Sequence, residues 1–418
     1  MTQISTDIGK GFVQGQVGRG ERLVSESMTN SEIEAMESQW QMKTYKRFPL
    51  SIASGLGCHV VDTAGHSFLD LYGGHAVATT GHCHPRVTAA LHAQVDQLLF
   101  YSNMVSLEVR ARAAEALIAA SPEGLDRVFF VNSGAEASEN AVKLARMVTG
   151  RKGIVTFEGG FHGRTLMALS AAGLPKYRAH AVPLVSDHHV VRFGDVEAVE
   201  KLIKGGDVAA VFLEPIQSLA GVRMAQPEFY RELRRLTHGA GALLIYDELQ
   251  TGMGRTGTMN FAPRFGVTPD MVTLGKGMAS GVPIAAVLAS EVVAKHVNYG
   301  DLGTTFGGGP LAAAGLLATL QVMDDERLLE NVETQSAYLF DELRKINGVE
   351  AVHGLGFLIG IRFSGGARPW HEKLLERRII TGLSDDPDVM RLLPPLVLTR
   401  ADIDVFLDEL VTIGRNLQ

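Results

Sequence analysis

Two residues that could grip one cofactor, Asp247 and Lys276, each follow an apolar, strand-like run. Asp247 ends the run 242–246, and Lys276 follows the run 271–274 between two glycines. An acid can hold a ring nitrogen protonated while an amine forms an imine with an aldehyde, which is the arrangement that pyridoxal phosphate requires. Taken singly, however, an aspartate at a strand end is more often a turn residue or helix cap, and a lone lysine is usually solvated.

Two segments are suited to binding a phosphate group. A strand-like run passes through Ser133, Gly134 and Ala135 into a helical pattern, and the free N–H groups at a helix start attract anions. The alternative is an ordinary helix capped by Ser133. The second segment, 303–309, is rich in glycine and hydroxyls and includes Thr305; the alternative there is a flexible linker.

Other polar and aromatic residues follow neighbouring strand-like runs. Phe161, in a glycine-rich loop with His162, could stack on a planar ring, although a loop phenylalanine also packs into cores. Glu214 closes another run. Gln250, three residues after Asp247, could reach a phenolic oxygen on the ring or could be a surface side chain.

Several apparent motifs do not hold. The glycine pattern at 252–257 matches a dinucleotide fingerprint, but no helix pattern follows it and no acid lies at the expected distance. Lys276 is not part of a P-loop, because position 277 is glycine rather than serine or threonine. The histidines at 82–84 and 188–189 lack a second cluster, so no metal site is predicted.

Composition narrows the function classes. The 418 residues are 46% hydrophobic and 20% charged with a net charge of −7, as in an ordinary globular protein. No long basic block favours nucleic acid or anionic membranes as partners. Two cysteines and no visible secretory signal or membrane-spanning run predict a cytoplasmic protein.

The order of elements predicts an α/β fold. Strand-like runs alternate with helical stretches such as 135–147 and 227–237, which indicates a mostly parallel sheet covered on both faces. After residue 310 the pattern changes to helices at 311–325 and 331–346, a strand at 356–363 and a closing helix at 400–417. We expect an N-terminal arm and part of a small domain over 1–75, a large cofactor-binding domain over 76–320 and a C-terminal small domain over 321–418. The first 25 or so residues are expected to form a loose arm.

Taken together, the motifs resemble those of class III pyridoxal-phosphate aminotransferases, which have the aspartate aminotransferase-like fold (fold type I). The matching segments are 133–137, 161–165, 214–217, 247–252, 275–277 and 304–308. Within the class, the segments 81–85, 102–103 and 390–396 are most similar to acetylornithine and ornithine aminotransferases.

The resemblance implies a role for each matching residue. Lys276 joins the cofactor and moves the proton, while Asp247 keeps the ring nitrogen protonated. Around the ring, Phe161 and Leu249 lie on opposite faces and Gln250 contacts the ring hydroxyl. Further cofactor contacts are expected from Ser133, Gly134, Ala135, His162, Glu214 and, across a homodimer interface, Thr305. Arg391 is expected to bind the substrate carboxylate and Arg164 the other end of the substrate.

The sequence departs from the acetylornithine pattern near the substrate. Leu219 replaces the glutamate that usually masks the carboxylate-binding arginine, and His75 stands where an apolar residue is common. An unmasked Arg391 suits a substrate with a carboxylate near the reacting carbon, or an apolar substrate that avoids the arginine.

We therefore predict an aminotransferase that exchanges an amino group between an acetylornithine-like donor and 2-oxoglutarate or pyruvate. The alternatives are a different, more apolar amine donor, or a racemase or aminomutase on the same fold. A non-catalytic binding protein is disfavoured because Lys276 and Asp247 are both retained.

Overall fold

The computed structural model describes residues 28–179 and 181–416. The predictions of a loose N-terminal arm and of no secretory signal concern residues that lie mostly outside this range. Two compact units can be distinguished. Within the described residues, one comprises 28–53 and 61–66 and the other 54–60 and 67–416. The predicted boundaries near 75 and 320 stay predictions.

Helices and strands alternate along most of the chain. The helices are α1 (Asn30–Trp40), α2 (Gly73–Ala76), α3 (Pro85–Gln97), α4 (Glu108–Ala120), α5 (Gly134–Thr149), α6 (Leu166–Ala171), α7 (Pro175–Arg178), α8 (Val196–Lys204), α9 (Pro227–Ala240), α10 (Glu291–Ala294), α11 (Pro310–Asp325), α12 (Leu328–Leu343), α13 (Arg368–Glu376) and α14 (Arg400–Asn416), with short 3-10 helices η1 (Ala262–Phe265) and η2 (Lys276–Ala279). The strands are β1 (Ile52–Leu56), β2 (His59–Asp62), β3 (Ser67–Asp70), β4 (Arg127–Val131), β5 (Gly153–Phe157), β6 (His188–Val191), β7 (Val208–Leu213), β8 (Ile216–Gln217), β9 (Arg223–Met224), β10 (Leu243–Asp247), β11 (Met271–Leu274), β12 (Ala285–Ala289), β13 (Val349–Leu355), β14 (Leu358–Phe363), β15 (Ile379–Ile380), β16 (Gly382–Leu383) and β17 (Val389–Leu392).

The central sheet has seven strands in the order β4-β12-β11-β10-β7-β5-β6. Strand β12 runs antiparallel to both neighbours, whereas the pairs of β10 with β7 and β11, and of β5 with β6 and β7, are parallel. Strands β7 and β10 are buried along their whole length, as expected for a sheet covered on both faces. The predicted mostly parallel α/β sheet is confirmed.

The strand register brings three predicted site residues to one edge of this sheet. Leu213 pairs with Tyr246, so the next residues along each strand, Glu214 and Asp247, lie side by side. Asp247 in turn pairs with Thr273, and β11 ends one residue later, shortly before Lys276. Ligands of open α/β sheets bind outside the carboxyl ends of the strands.

A second sheet carries Arg391. Its strands β13-β14-β17-β16 are antiparallel, and Arg391 on β17 lies between Gly360 on β14 and Gly382 on β16. The predicted strand at 356–363 corresponds to β14, but its partner β13 was not predicted. Strand β6 was also missed, because its residues His188 and His189 are not typical of a buried strand.

Candidate active site

Asp247 is a buried carboxylate held by several donors. Its Oδ2 lies 2.7 Å from Nδ1 of His162, and its Oδ1 accepts bonds from the Leu249 N–H at 3.2 Å and the Thr273 hydroxyl at 3.3 Å. His162 is itself fixed, because its ring stacks on Phe212 with centroids 4.1 Å apart. The sequence placed His162 among the cofactor-binding residues, and the structure brings it against Asp247, where it orients the carboxylate.

Lys276 is the first residue of η2 and lies two residues after the end of β11. Its φ of 45° is unusual for a residue with a side chain, and such strain is common at functional sites. Desolvation lowers the pKa of Lys276 and Arg391 adds to the effect, while Asp247 and Glu214 oppose it. A lysine with a lowered pKa can act as a nucleophile and a base near neutral pH.

Glu214 fixes the loop that carries Phe161 and Arg164. Its Oε1 accepts the Phe161 N–H at 2.7 Å, and burial, with a contribution from Asp247, raises the pKa of Glu214. The Phe161 ring meets Tyr177 edge-on at 5.5 Å, and the Arg164 guanidinium lies 5.0 Å from the centre of that same tyrosine ring. The loop is therefore tied to the sheet edge beside Asp247.

The start of α5 has both the side-chain cap and the exposed backbone N–H groups that its sequence predicts. Ser133 caps the helix in a capping box with Glu136, which leaves the N–H groups of Gly134 and Ala135 without acceptors inside the helix. A side chain at position 134 would force Leu249 to move, because an added Cβ would lie 1.7 Å from Leu249 Cδ2. The helix start and the Asp247–Gln250 segment are thus in direct contact.

Arg391 is buried, and its hydrogen-bond partners are neutral groups. It donates from Nε to the Leu383 carbonyl at 2.9 Å, from Nη1 to the Ser218 hydroxyl at 3.1 Å and from Nη2 to the Tyr72 hydroxyl at 3.0 Å. Within the described residues no carboxylate lies in salt-bridge range of it. The Leu219 carbonyl accepts the Asp385 N–H at 2.8 Å, and Leu219 supplies no polar atom to Arg391. Tyr72 and Ser218 were not assigned a role from the sequence.

His75 sits in a left-handed turn. Gly73, Gly74, His75 and Ala76 all have positive φ, which costs a residue with a side chain about 1–2 kcal/mol. The Asp70 carboxylate holds this turn by accepting the N–H groups of Tyr72, Gly73 and Gly74 at 2.8–2.9 Å. Desolvation and the charges of Lys276, Arg391 and Arg164 lower the pKa of His75 to about 3, so His75 is neutral at ordinary pH.

Thr305 follows Thr304, whose hydroxyl accepts a bond from Asn132 Nδ2 at 3.4 Å beside the start of α5. Thr305 is exposed and lies in a loop that Asn103 holds by donating to the carbonyls of Thr304 and Gly307 at 3.2 and 3.0 Å. Next to it, Phe306 stays 62% exposed although its ring contacts that of Phe100.

Neither a metal cluster nor a membrane helix is found in the part of the chain that the structure describes. No group of three or more histidine, cysteine or acidic side chains there could hold a metal ion. None of the helices there has the length and apolar character needed to span a bilayer.

Comparison with known proteins assigns the family. The family model described as Aminotransferase class-III matches residues 41–413. The chain is a class III aminotransferase. It is 43% identical to the acetylornithine aminotransferase of Methanopyrus kandleri over 89% of this chain and 96% of that protein. It is 39% identical to the [LysW]-aminoadipate semialdehyde transaminase of Deinococcus radiodurans over 88% of this chain and 87% of that protein.

A solved structure of a relative agrees with this assignment. The ornithine aminotransferase of Toxoplasma gondii, whose active site is partly occupied by pyridoxal phosphate, superposes with a TM-score of 0.89 and 30% identity over 94% of this chain and 95% of that chain. The predicted family, fold type I architecture and transaminase activity are therefore confirmed. The roles of individual residues in this class III aminotransferase remain proposals.

A buried acid next to Asp247 gives a prediction about stability. Glu248 accepts the Phe261 N–H at 2.6 Å, and burial raises its pKa from 4.5 to about 7. A raised carboxyl pKa contributes stability below pH 4.5 that is lost as the pH rises to about 7. We expect Glu248→Gln to flatten this fall in the free energy of unfolding, measured by urea denaturation at several pH values. The same pH slope in both proteins would contradict the assignment.

Proposed function

We propose that this enzyme uses pyridoxal phosphate to transfer the terminal amino group of an acetylornithine-like donor to a 2-keto acid. The acceptor is 2-oxoglutarate or pyruvate. The observation that carries the proposal is the buried, His162-bound carboxylate of Asp247 at the end of β10, with Lys276 just beyond the end of the neighbouring strand β11. The similarity to acetylornithine aminotransferases over most of the chain supports the choice of donor.

The residues at the sheet edge fit pyridoxal phosphate. Gln250 Oε1 is buried and has no hydrogen-bond partner among the described residues, as expected of a group that awaits a ligand hydroxyl. The first N–H groups of α5, at Gly134 and Ala135, suit a phosphate. Asp247 offers a negative charge to a ring nitrogen, and Lys276 offers an amine with a lowered pKa.

The bound cofactor would supply an electron sink for the reacting carbon, and the chain would do the rest. Lys276 Nζ would hold the cofactor through its aldehyde carbon, with loss of water, and would carry the proton to and from the reacting carbon of the substrate. Asp247, oriented by His162, would stabilise a positive ring nitrogen. Phe161 and Leu249 would confine the ring, and Arg391 and Arg164 would bind the anionic ends of the substrates. The pKa of Lys276 matters because a protonated amine can do neither task.

We further propose a cytoplasmic homodimer with shared sites. Large apolar side chains are exposed on the segment 98–105 and at Phe306, beside Thr305, and an apolar patch of this kind marks a protein interface. Thr305 would then contact the cofactor phosphate of the neighbouring subunit. The free cysteines Cys58 and Cys83 are compatible with a reducing compartment.

Restoring the missing acid should change substrate preference. Leu219→Glu introduces a carboxylate next to Ser218, the hydroxyl partner of Arg391, and an ion pair would then mask the arginine. We expect better use of terminal amines that lack a nearby carboxylate and about a tenfold higher KM for 2-oxoglutarate, since one charged contact is worth roughly 1.4 kcal/mol or more. Leu219→Gln is the uncharged control. Equal effects of both variants, or no change, would refute the masking argument.

The direct test of the substrate proposal is a panel of amine donors with 2-oxoglutarate and pyruvate as acceptors. N-acetylornithine, ornithine, lysine and simple apolar amines should be compared by kcat/KM. The proposal predicts the highest value for N-acetylornithine or a similarly acylated diamino acid. A preference for apolar amines would replace the donor assignment while leaving the transaminase chemistry in place.

A further inference from the structure

The hydrogen-bond partners of Arg391 carry no charge, unlike the glutamate that pairs with the equivalent arginine in acetylornithine-type enzymes. Among the described residues these partners are the Leu383 carbonyl and the hydroxyls of Ser218 and Tyr72. A guanidinium has a second N–H on each terminal nitrogen, so one N–H of Nη1 and one of Nη2 have no partner among the residues that the structure describes. Two donors in one plane are what a carboxylate needs for a two-pronged contact.

The hydrogen bond between Arg391 and Tyr72 can run in only one direction. A guanidinium can only donate, so the Tyr72 oxygen accepts from Arg391 Nη2. Nδ1 of His75 lies 3.2 Å from the same hydroxyl oxygen and can accept the Tyr72 proton. This needs an unprotonated Nδ1, and desolvation, together with the charges of Lys276, Arg391 and Arg164, lowers the pKa of His75 and so favours that state.

The backbone of the turn that carries Tyr72 and His75 is fixed by further hydrogen bonds. Asp70 gathers three successive N–H groups of the left-handed turn, and His82 Nε2 lies 2.8 Å from the Asp70 carboxylate. The Tyr72 and His75 rings also contact each other edge-on with centroids 4.9 Å apart. A strained turn of this kind persists only where its surroundings over-determine it.

Resting on the proposed function, we propose that Tyr72 and Ser218, with His75 behind Tyr72, are positioning residues that hold Arg391 ready for the keto acid. A donor whose amine sits on a terminal CH2 group leaves Arg391 satisfied by the two hydroxyls, without an acid to mask its charge. The keto acid then adds its carboxylate to the free N–H groups, and no ion pair has to break. The enzyme thus accepts both substrate types because two neutral hydroxyls, those of Tyr72 and Ser218, stand where other enzymes have a carboxylate that must move away. We call this pair of hydroxyls the cradle.

The test compares the two half-reactions in Tyr72→Phe and Ser218→Ala, with Tyr299→Phe as the control because Tyr299 is fully exposed. We expect each cradle variant to raise the KM for 2-oxoglutarate roughly tenfold, since each loses a hydrogen bond to a charged group. The KM for the amine donor and the kcat should stay within about twofold, and the control should match the wild type in all three.

Calorimetry with glutarate, an unreactive dicarboxylate, supplies a readout that does not depend on turnover. The dissociation constant should rise by a similar factor in both cradle variants of the cofactor-loaded enzyme. An unchanged or tighter glutarate affinity would overturn the proposal, because the hydroxyls would then make no contribution or would compete with the substrate. A rise in the KM for the amine donor equal to that for 2-oxoglutarate would overturn it as well. If the wild type bound glutarate but transaminated no donor on the panel, the proposed function would fail while the positioning role was still measured.

Discussion

Replacing Lys276 by alanine is expected to reduce transamination by at least about 10⁴-fold, the upper range for the loss of one general acid–base group. The variant would lose the amine proposed to attack the cofactor and the base proposed to move the proton. Among the described residues, Asp247 has His162 and no lysine within ion-pair distance. The rate should be measured with N-acetylornithine and 2-oxoglutarate at saturating concentrations.

The matched control for this variant is Lys295→Ala, because Lys295 is an exposed lysine in the same half of the sequence. It should retain full activity. Circular dichroism of Lys276→Ala should equal that of the wild type, which separates lost chemistry from lost folding. Turnover above about one per cent of the wild type in the folded variant would refute the assignment of Lys276.

Changing Asp247 to asparagine is expected to lower kcat by about 10²–10³-fold, the cost of removing one preorganised electrostatic partner. The amide keeps the size of the side chain but loses the negative charge that would stabilise a protonated ring nitrogen. His162, 2.7 Å away, would also lose its ionic partner. The kcat of each half-reaction should be followed by rapid mixing.

Glu248→Gln is the control for Asp247→Asn, since it removes the neighbouring buried acid, which accepts hydrogen bonds from the backbone of Phe261 and Ala262 and from the Thr251 hydroxyl. Its kcat should stay within about threefold of the wild type at a temperature where both proteins are folded. Equal losses in the two variants would indicate that general damage to the strand end, rather than the charge of Asp247, limits the rate.

Much of the fold and of the cofactor site could be predicted because local patterns determine them. Helix α5 (Gly134–Thr149) and helix α9 (Pro227–Ala240) follow helical patterns with clear ends, at glycines with left-handed φ. Parallel strands place their carboxyl ends at one edge, so Asp247, Glu214 and Lys276 could be brought together from their positions after apolar runs. Strand β6 lacked such a run.

The surroundings of Arg391 could not be predicted, because they depend on contacts between distant segments. Tyr72, Ser218 and Leu383 meet Arg391 from separate parts of the chain. The left-handed turn at His75 was hidden as well, since only two of its four residues are glycines and its stability comes from the Asp70 carboxylate. In the sequence, the unusual His75 and Leu219 were the available signals that this region departs from its relatives.

The central claim is that Lys276 and Asp247 support amino-group transfer on pyridoxal phosphate, and a single-substrate incubation tests it most directly. The enzyme, loaded with pyridoxal phosphate, should be mixed with N-acetylornithine and no keto acid. We predict that about one equivalent of donor is consumed per active site and that the visible absorption of the bound cofactor returns when 2-oxoglutarate is added. Because the reacting carbon of N-acetylornithine is a CH2 group without a stereocentre, racemisation is tested in a parallel incubation with one enantiomer of ornithine, whose α-amine is free, and its optical purity should not change. Continued racemisation of ornithine, or no change in absorption with N-acetylornithine, would contradict the account.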